Sequence, residues 1–190
     1  MKNILMAISG PSGVGKGTIV KQLLARRADL TASVSCTTRS PRAGETDGKD
    51  YFFLTREEFI KRMQEGEFLE YDEHFGNLYG TPMSFVKEAL EERSVILEID
   101  VVGALNAKRL FPECVLVMIL PPSVEELKKR LSGRRSETDA EIKNRLARLD
   151  YELAQKELYD YVVVNDELEA SVEQIENIIN REKGKECEKI

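Results

Sequence analysis

Gly10-Pro11-Ser12-Gly13-Val14-Gly15-Lys16-Gly17-Thr18 is the stretch on which the fold turns. It follows a short apolar run, Ile4 to Ser9, that reads as a buried strand. It leads into an amphipathic stretch, Gly15 to Ala28, whose Ile19, Val20, Leu23 and Leu24 share one helical face. A glycine-rich loop between a strand and a helix suits a phosphate. Its N–H groups can turn inward, and the helix N-terminus adds positive potential. Lys16 can then reach the outer phosphates of a nucleoside triphosphate. The strict pattern places Ser or Thr directly after the lysine. Here Gly17 stands in that place and Thr18 follows, so Thr18 is the hydroxyl expected on the metal side. The alternative is a ligand-free turn. Four glycines and a lysine between these flanks argue against it.

Outward from the loop, Val95 to Asp100, Cys114 to Leu120 and Tyr161 to Val164 read as further buried strands. Pro121-Pro122 stops the second of these, and Asn165 ends the last. Helical patterns cover Pro82 to Arg93, Val102 to Leu110, Val124 to Leu131, Ala140 to Leu158 and Glu169 to Arg181. Capping boxes mark two helix starts, Thr55 with Glu58 and Ser123 with Glu126. Short apolar strands alternating with helices predict an α/β fold. Its core is a P-loop NTPase-type three-layer arrangement around a central parallel sheet. From Ala32 to Tyr79 the alternation breaks. Short β signals separated by turns predict a small, mainly β lobe inserted into the core. The polar stretch from Ser132 to Asp139 predicts a second excursion of lid type. The expected division is a core of 1–32, 82–125 and 150–190, a lobe of 33–81 and a helical lid of 126–149. The charged tail from Arg181 to Glu186 is expected to fray.

The chain has 190 residues, enough for one domain with a sizeable core. Lys and Arg number 28 against 34 Asp and Glu, a net charge of −6. That balance disfavours a general nucleic-acid binder, which needs a basic face. The positive charge is concentrated instead. From Leu127 to Leu149 eight basic residues stand against three acids, which focuses a positive field on one segment. Cys36, Cys114 and Cys187 are scattered and odd in number, so no disulfide framework or four-ligand zinc site follows. No segment approaches the ~20 apolar residues that span a bilayer. A cytoplasmic location is the default expectation, with no membrane or nucleic-acid partner; the oligomeric state is left open. His74 reads as a surface histidine, and Cys36 as a small packing residue.

The run from Ser33 to Tyr51, with Thr37-Thr38-Arg39-Ser40-Pro41-Arg42-Ala43-Gly44-Glu45 at its centre, resembles the guanylate kinase family. The resemblance extends through Gly66 to Glu70, Asn77 to Thr81, Leu97 to Asp100, Pro121-Pro122-Ser123, Gly133 to Thr138 and Val164-Asn165-Asp166. These landmarks run from residue 10 to residue 166. Two positions depart from the pattern: Gly17, which is similar to adenylate kinases, and Val102, where many members carry Gln. The resemblance implies ATP-dependent phosphorylation of GMP or dGMP to the diphosphate, with Mg²⁺ on the ATP. It also implies a core, a GMP-binding lobe and a lid that closes over ATP.

By the same resemblance, Arg39 and Arg42 hold the GMP phosphate with Tyr51 and Tyr79. Guanidinium forks match phosphate oxygens in pairs. Arg134 and Arg145 bridge donor and acceptor phosphates; Arg135 and Arg148 rank below them. Glu70 selects the base, because a carboxylate accepts both guanine N1–H and N2–H₂ but repels the lone pair at adenine N1. A site built on such hydrogen bonds rejects the wrong base by roughly 10⁴. Ser35 and Thr81 complete the recognition. Glu98 and Asp100, two residues apart on one strand, both face the GMP side, and Asp100 and Thr18 are the candidate metal groups, through water if not directly. Asn165 lies near the ATP.

Two other readings compete. An adenylate or other nucleoside monophosphate kinase is suggested by Gly17-Thr18 and opposed by the β lobe and Glu70. A catalytically dead interaction module is opposed by the intact Lys16 and arginines.

Overall fold

The structure is a computed structural model that describes residues 2–42, 44–74, 76–132 and 149–185. At its centre five parallel strands form one sheet: β1 (Leu5–Ser9), β2 (Leu30–Ala32), β7 (Ser94–Glu98), β8 (Val115–Leu120) and β9 (Tyr161–Val164). Their order is β2-β7-β1-β8-β9. β1 lies in the middle, and the chain builds first to one side of it and then to the other. In such sheets ligands sit beyond the carboxyl end of the strands at this reversal. The Gly10 to Thr18 loop leaves β1 at that point.

The central strands β7, β1 and β8 are largely apolar on both faces because both faces are covered. On one side α1 (Lys16–Arg26) and α6 (Leu168–Gly184) press Ile19, Val20, Leu23, Val172, Ile175 and Ile179 against Met6, Ile8, Ile96, Val117 and Ile119. On the other, α3 (Met83–Glu92) and α4 (Val101–Leu110) bring Val86, Val101, Ala104 and Ala107 onto Leu5, Ala7, Val95, Leu97, Leu116 and Met118. This is the expected three-layer core. The expectation lacked one strand: β2 has only three residues and forms the sheet edge against β7.

The region that breaks the alternation forms a second sheet of four short strands, ordered β4-β3-β6-β5. They are β3 (Cys36–Thr37), β4 (Phe52–Phe53), β5 (Phe68–His74) and β6 (Asn77–Pro82). α2 (Arg56–Gln64) covers it, and Phe59 and Phe68 stack with ring centroids 4.4 Å apart. The Thr55 capping box forms in full. Cys36 is buried in this small core, and burial pushes its thiol up to about 11, as suits a packing residue. The lobe is tied to the core by β5, which packs on α4 and places Leu69 in the core cluster. α5 (Val124–Ser132) begins with Ser123 Oγ accepting from the Glu126 N–H at 3.1 Å.

The tail does not fray at Arg181. α6 continues to Gly184 because Lys183 turns inward, only 7% exposed, with Nζ 2.6 Å from Asp29 Oδ2. Arg27 chelates the same carboxylate at 3.0 and 2.9 Å. These two cations hold the Asp29 carboxyl far below the usual carboxylate range. The triad clamps the C-terminal helix to the turn before β2. Asp29→Asn leaves the buried Lys183 without its anion and, because Asp29 itself is partly exposed, is expected to cost about 1–2 kcal/mol, between exposed and buried pairs. Because the folded-state pKa is depressed, this stability is present above the unfolded value near ~4 and is lost as pH falls through the folded value. Thermal melts at pH 7 and pH 3 check this: the gap between wild type and variant should narrow at the lower pH.

Candidate active site

The phosphate loop is shaped by what it touches behind it. Gly15 is the N-cap of α1 in the left-handed region, at φ +102°, where an L side chain is strained. A Cβ there would also come within 2.6 Å of Asn165 Nδ2. At Gly10 a Cβ would overlap the carbonyl oxygen of Ile119 in β8. Asn165, just past β9, is buried and donates its amide to the Val14 carbonyl at 2.7 Å. Its Oδ1 accepts from Ser171 Oγ at 3.1 Å, from the first turn of α6. Asn165 therefore lies beside the Gly10 to Thr18 loop and supports it from behind. Lys16 lies across the loop with Nζ 2.5 Å from the Gly10 carbonyl and 3.2 Å from that of Pro11. Gly17 and Thr18 are exposed on the first turn of α1.

At the end of β7, the two acids expected to share one strand face separate. Glu98 is the last strand residue and opens toward the loop. A Cβ at Gly17 would stand 3.2 Å from its Oε1. Partial desolvation raises the Glu98 pKa, and the Lys16 ammonium opposes that rise. The same carboxylate also acts on the Tyr51 phenol, whose pKa burial raises. Glu98 thus stands between the loop lysine and the aromatic wall of the lobe. Asp100 lies two residues beyond the strand and caps α4, its Oδ1 accepting from the Gly103 N–H at 2.7 Å.

In the lobe, Arg39 is held in a defined position. Both oxygens of Glu45 accept from its Nη2, at 2.8 and 2.9 Å, and the Ser40 carbonyl accepts from Nη1 at 2.6 Å. Its guanidinium lies 5.4 Å from the Tyr51 ring centroid and 5.9 Å from that of Phe53. Tyr51 and Tyr79 meet edge to face at 6.1 Å. Glu45 also accepts from the Arg42 N–H at 2.7 Å and is held below its ordinary pKa chiefly by Arg39. The Arg42 side chain is exposed. Arg39, Tyr51 and Tyr79 lie together, and Arg42 is tied to Arg39 only through Glu45, by its backbone N–H. Glu45, to which no role had been given, organises them. The signal was available as the lone acid amid Arg39, Arg42 and Gly44.

A third cluster lies where the lobe meets α4. Glu70 of β5 is 8% exposed, and its Oε1 accepts from the Thr81 hydroxyl of β6 at 2.7 Å. Burial pushes its carboxyl up to about 7; Thr81 pulls it down, and Asp100 and Asp72 add to the rise. Ser35, half-buried just before β3, accepts from the Phe52 N–H through its carbonyl at 2.9 Å. Arg134 and Arg145, with Arg135 and Arg148, lie outside the described residues.

Comparisons with known proteins identify the family. A family model described as guanylate kinase matches residues 2–182. The guanylate kinase of Clostridioides difficile is 46% identical over 185 residues, covering 97% of this chain and 90% of the relative. That of Caldanaerobacter subterraneus is 49% identical over 183 residues, covering 96% and 89%. The chain belongs to the guanylate kinase family. Within this family, the crystal structure of the Anaplasma phagocytophilum enzyme aligns with a TM-score of 0.80 at 35% identity, over 98% of this chain and 89% of that one. A shikimate kinase from Bacteroides thetaiotaomicron, 16% identical with a TM-score of 0.56, shares the fold. As a guanylate kinase the chain is a nucleoside monophosphate kinase, a phosphotransferase acting on GMP.

The geometry behind the loop makes a prediction for this guanylate kinase. Asn165→Asp puts a carboxylate oxygen against the Val14 carbonyl where an N–H now donates. A buried acceptor facing an acceptor costs about 1–3 kcal/mol. The KM for ATP should rise by about tenfold or more, while the KM for GMP stays within about twofold. Steady-state kinetics with each substrate varied in turn checks the split.

Proposed function

We propose that the loop from Gly10 to Thr18 binds the ATP phosphates and that the four-stranded lobe binds GMP or dGMP. The γ-phosphoryl group passes between them in the cleft that Glu98 borders. Phosphoryl transfer requires positioning and charge stabilisation rather than covalent chemistry from the protein. Lys16 and the loop N–H groups hold the donor. Arg39 and Arg42 hold the acceptor phosphate, with the Tyr51 and Tyr79 hydroxyls beside it. Arg134 and Arg145 meet the transferring group from the segment proposed as the lid, 126–149. Lobe 33–81 and the remaining core complete the division.

The observation that carries this reading is Glu70. A carboxylate buried beside a second acid is costly unless a ligand with N–H donors compensates it. Guanine brings two such donors side by side. Thr81 fixes one carboxylate oxygen, and Asp100 borders the same space. Adenine lacks the donors, which opposes AMP as acceptor.

Mg²⁺ accompanies ATP in this chemistry and neutralises donor-phosphate charge. Among the described residues no three His, Cys, Asp or Glu side chains converge as a metal cage. That suits Mg²⁺, which keeps water and phosphate oxygens as most of its ligands. Glu98, opposite Gly17 and beside Lys16, fits the role of holding its waters. Thr18 sits on the same turn of α1, and Asp100 belongs with the base cluster.

A coupled assay offering ATP with GMP or AMP tests the function; turnover with GMP and none with AMP is expected. Glu70→Gln should lower GMP affinity by about 10²-fold at pH 8 without altering ATP binding. In the wild type Glu70 must be ionised to bind guanine, and its pKa is about 7 in the free chain. GMP affinity therefore falls as pH drops below that value. The GMP phosphate titrates near ~6 in both proteins, so the ratio of wild-type to variant affinity isolates Glu70 and should shrink toward pH 5.5. A variant with full GMP affinity removes the base reading.

Arg134→Ala and Arg145→Ala address the transition state. Each should lower kcat by about 10³-fold with the KM for GMP nearly unchanged. An unaltered kcat sinks the role assigned to that arginine.

A further inference from the structure

Gly103 is buried in the first turn of α4, in ordinary helical geometry, between Val102 and Ala104. Nothing in its backbone conformation calls for glycine, since its φ is not positive. Glycine is moreover a poor choice there, because alanine is a better helix former. The reason for glycine lies in front of it. A Cβ at 103 would stand 2.8 Å from Glu70 Oε2 and 3.2 Å from Asp100 Oδ1. Its own N–H donates to that Asp100 oxygen at 2.7 Å.

We infer that Gly103 is a specificity-positioning residue: its missing side chain is the clearance that sets where the Glu70 carboxylate stands. The inference rests on the reading of Glu70 as the guanine selector. Glu70 is confined on its other sides. Thr81 holds Oε1 from β6, and only 8% of the residue is exposed. A methyl group at 103 therefore moves the end of the Glu70 side chain rather than the backbone. The carboxylate then tilts about its Thr81 hydrogen bond. One oxygen keeps its partner while the other leaves the plane in which two adjacent donors are met. Matching two donors at once is what separates guanine from hypoxanthine, which keeps N1–H but lacks the 2-amino group. Gly103 accordingly acts on base choice, through Glu70, without touching substrate.

Gly103→Ala tests this, with GMP and IMP as alternative acceptors and Glu70→Gln measured alongside. The variant is expected to melt at or slightly above the wild-type temperature, given the helix preference for alanine. The KM for GMP should rise about tenfold, with kcat and the KM for ATP within about threefold of wild type. The preference for GMP over IMP in kcat/KM should fall by about tenfold. Adding Glu70→Asp to Gly103→Ala shortens the displaced acid, so the pair should lose less GMP affinity than the two single losses multiplied. A folded Gly103→Ala with an unchanged GMP-to-IMP ratio overturns the inference. So does a Gly103→Ala that fails to fold, because the clearance would then serve the core. If Glu70→Gln itself keeps full GMP affinity, the underlying reading of Glu70 fails. If Glu70→Gln loses GMP and Gly103→Ala does not, only the role of Gly103 falls.

Discussion

The carbonyl oxygen of Ile119 sets how closely the chain leaving β1 can run beside β8, and only a residue without a side chain passes it. Much else depends on that approach at Gly10. It fixes the height of the loop above the sheet, and so where the N–H groups of residues 13–16 and the N-terminus of α1 point. Asn165 adds a second fixed point by binding the Val14 carbonyl, and Ser171 orients Asn165 from α6. The loop is thus held from β8, β9 and α6 at once. One of its contacts is with a backbone carbonyl, that of Ile119, which lies in a strand of the central sheet. A preorganised row of donors needs little reorganisation when a phosphate arrives, and this is the main source of stabilisation in phosphoryl transfer.

Anion binding in a chain of net charge −6 requires that acids be placed with care. Three of them border the cleft, and each has a distinct neighbour. Glu98 faces Lys16, Glu70 is bound to Thr81, and Asp100 caps α4. Glu45 is different, because it pairs with Arg39, the arginine proposed to hold the acceptor phosphate. A guanidinium has five N–H donors. Glu45 engages it through Nη2 and Ser40 through Nη1, which leaves donors for a phosphate without breaking the pair. Holding Arg39 beside the Tyr51 ring in advance reduces the side-chain entropy lost on binding. The acid therefore orients the cation rather than competing with the ligand.

The core was legible because its signals are long and redundant. β1 and β8 are apolar runs covered on both sides, β9 is an apolar run with one face open, and each is bounded by glycine, proline or asparagine. β2 was not legible. Leu30-Thr31-Ala32 is too short for a periodicity, and it is a strand only because β7 supplies partners. In the lobe, β3 and β4 have two residues each, so their strand character comes from cross-strand pairing and from Phe59 beneath them. The tail misled for a related reason. Arg181 to Glu186 is charged at every position but Gly184, and no local pattern distinguishes Lys183 from the other charged residues; Asp29, distant in sequence, does so. In the site, arginines and tyrosines within a motif were readable. Gly103 was not, because a glycine inside a helix signals a close neighbour without naming it.

Gly17 shows how a departure in one element can be answered from another. Residue 17 is where the strict loop pattern carries a hydroxyl. Thr18 cannot simply take its place, because one residue along a helix is a rotation of about 100°. What lies next to position 17 is the Glu98 carboxylate, close enough that even a Cβ would press against it at 3.2 Å. A serine or threonine there would push the acid away from Lys16. With glycine, the acid can come up to the loop and offer two acceptor oxygens near the position a hydroxyl would otherwise occupy. An anion brought that close to donor phosphates is repelled by them unless a cation lies between. Lys16 is one such cation, and a divalent ion on the phosphates supplies the rest. Glycine at 17 and glutamate at 98 are in this sense one feature, and neither residue explains the site without the other.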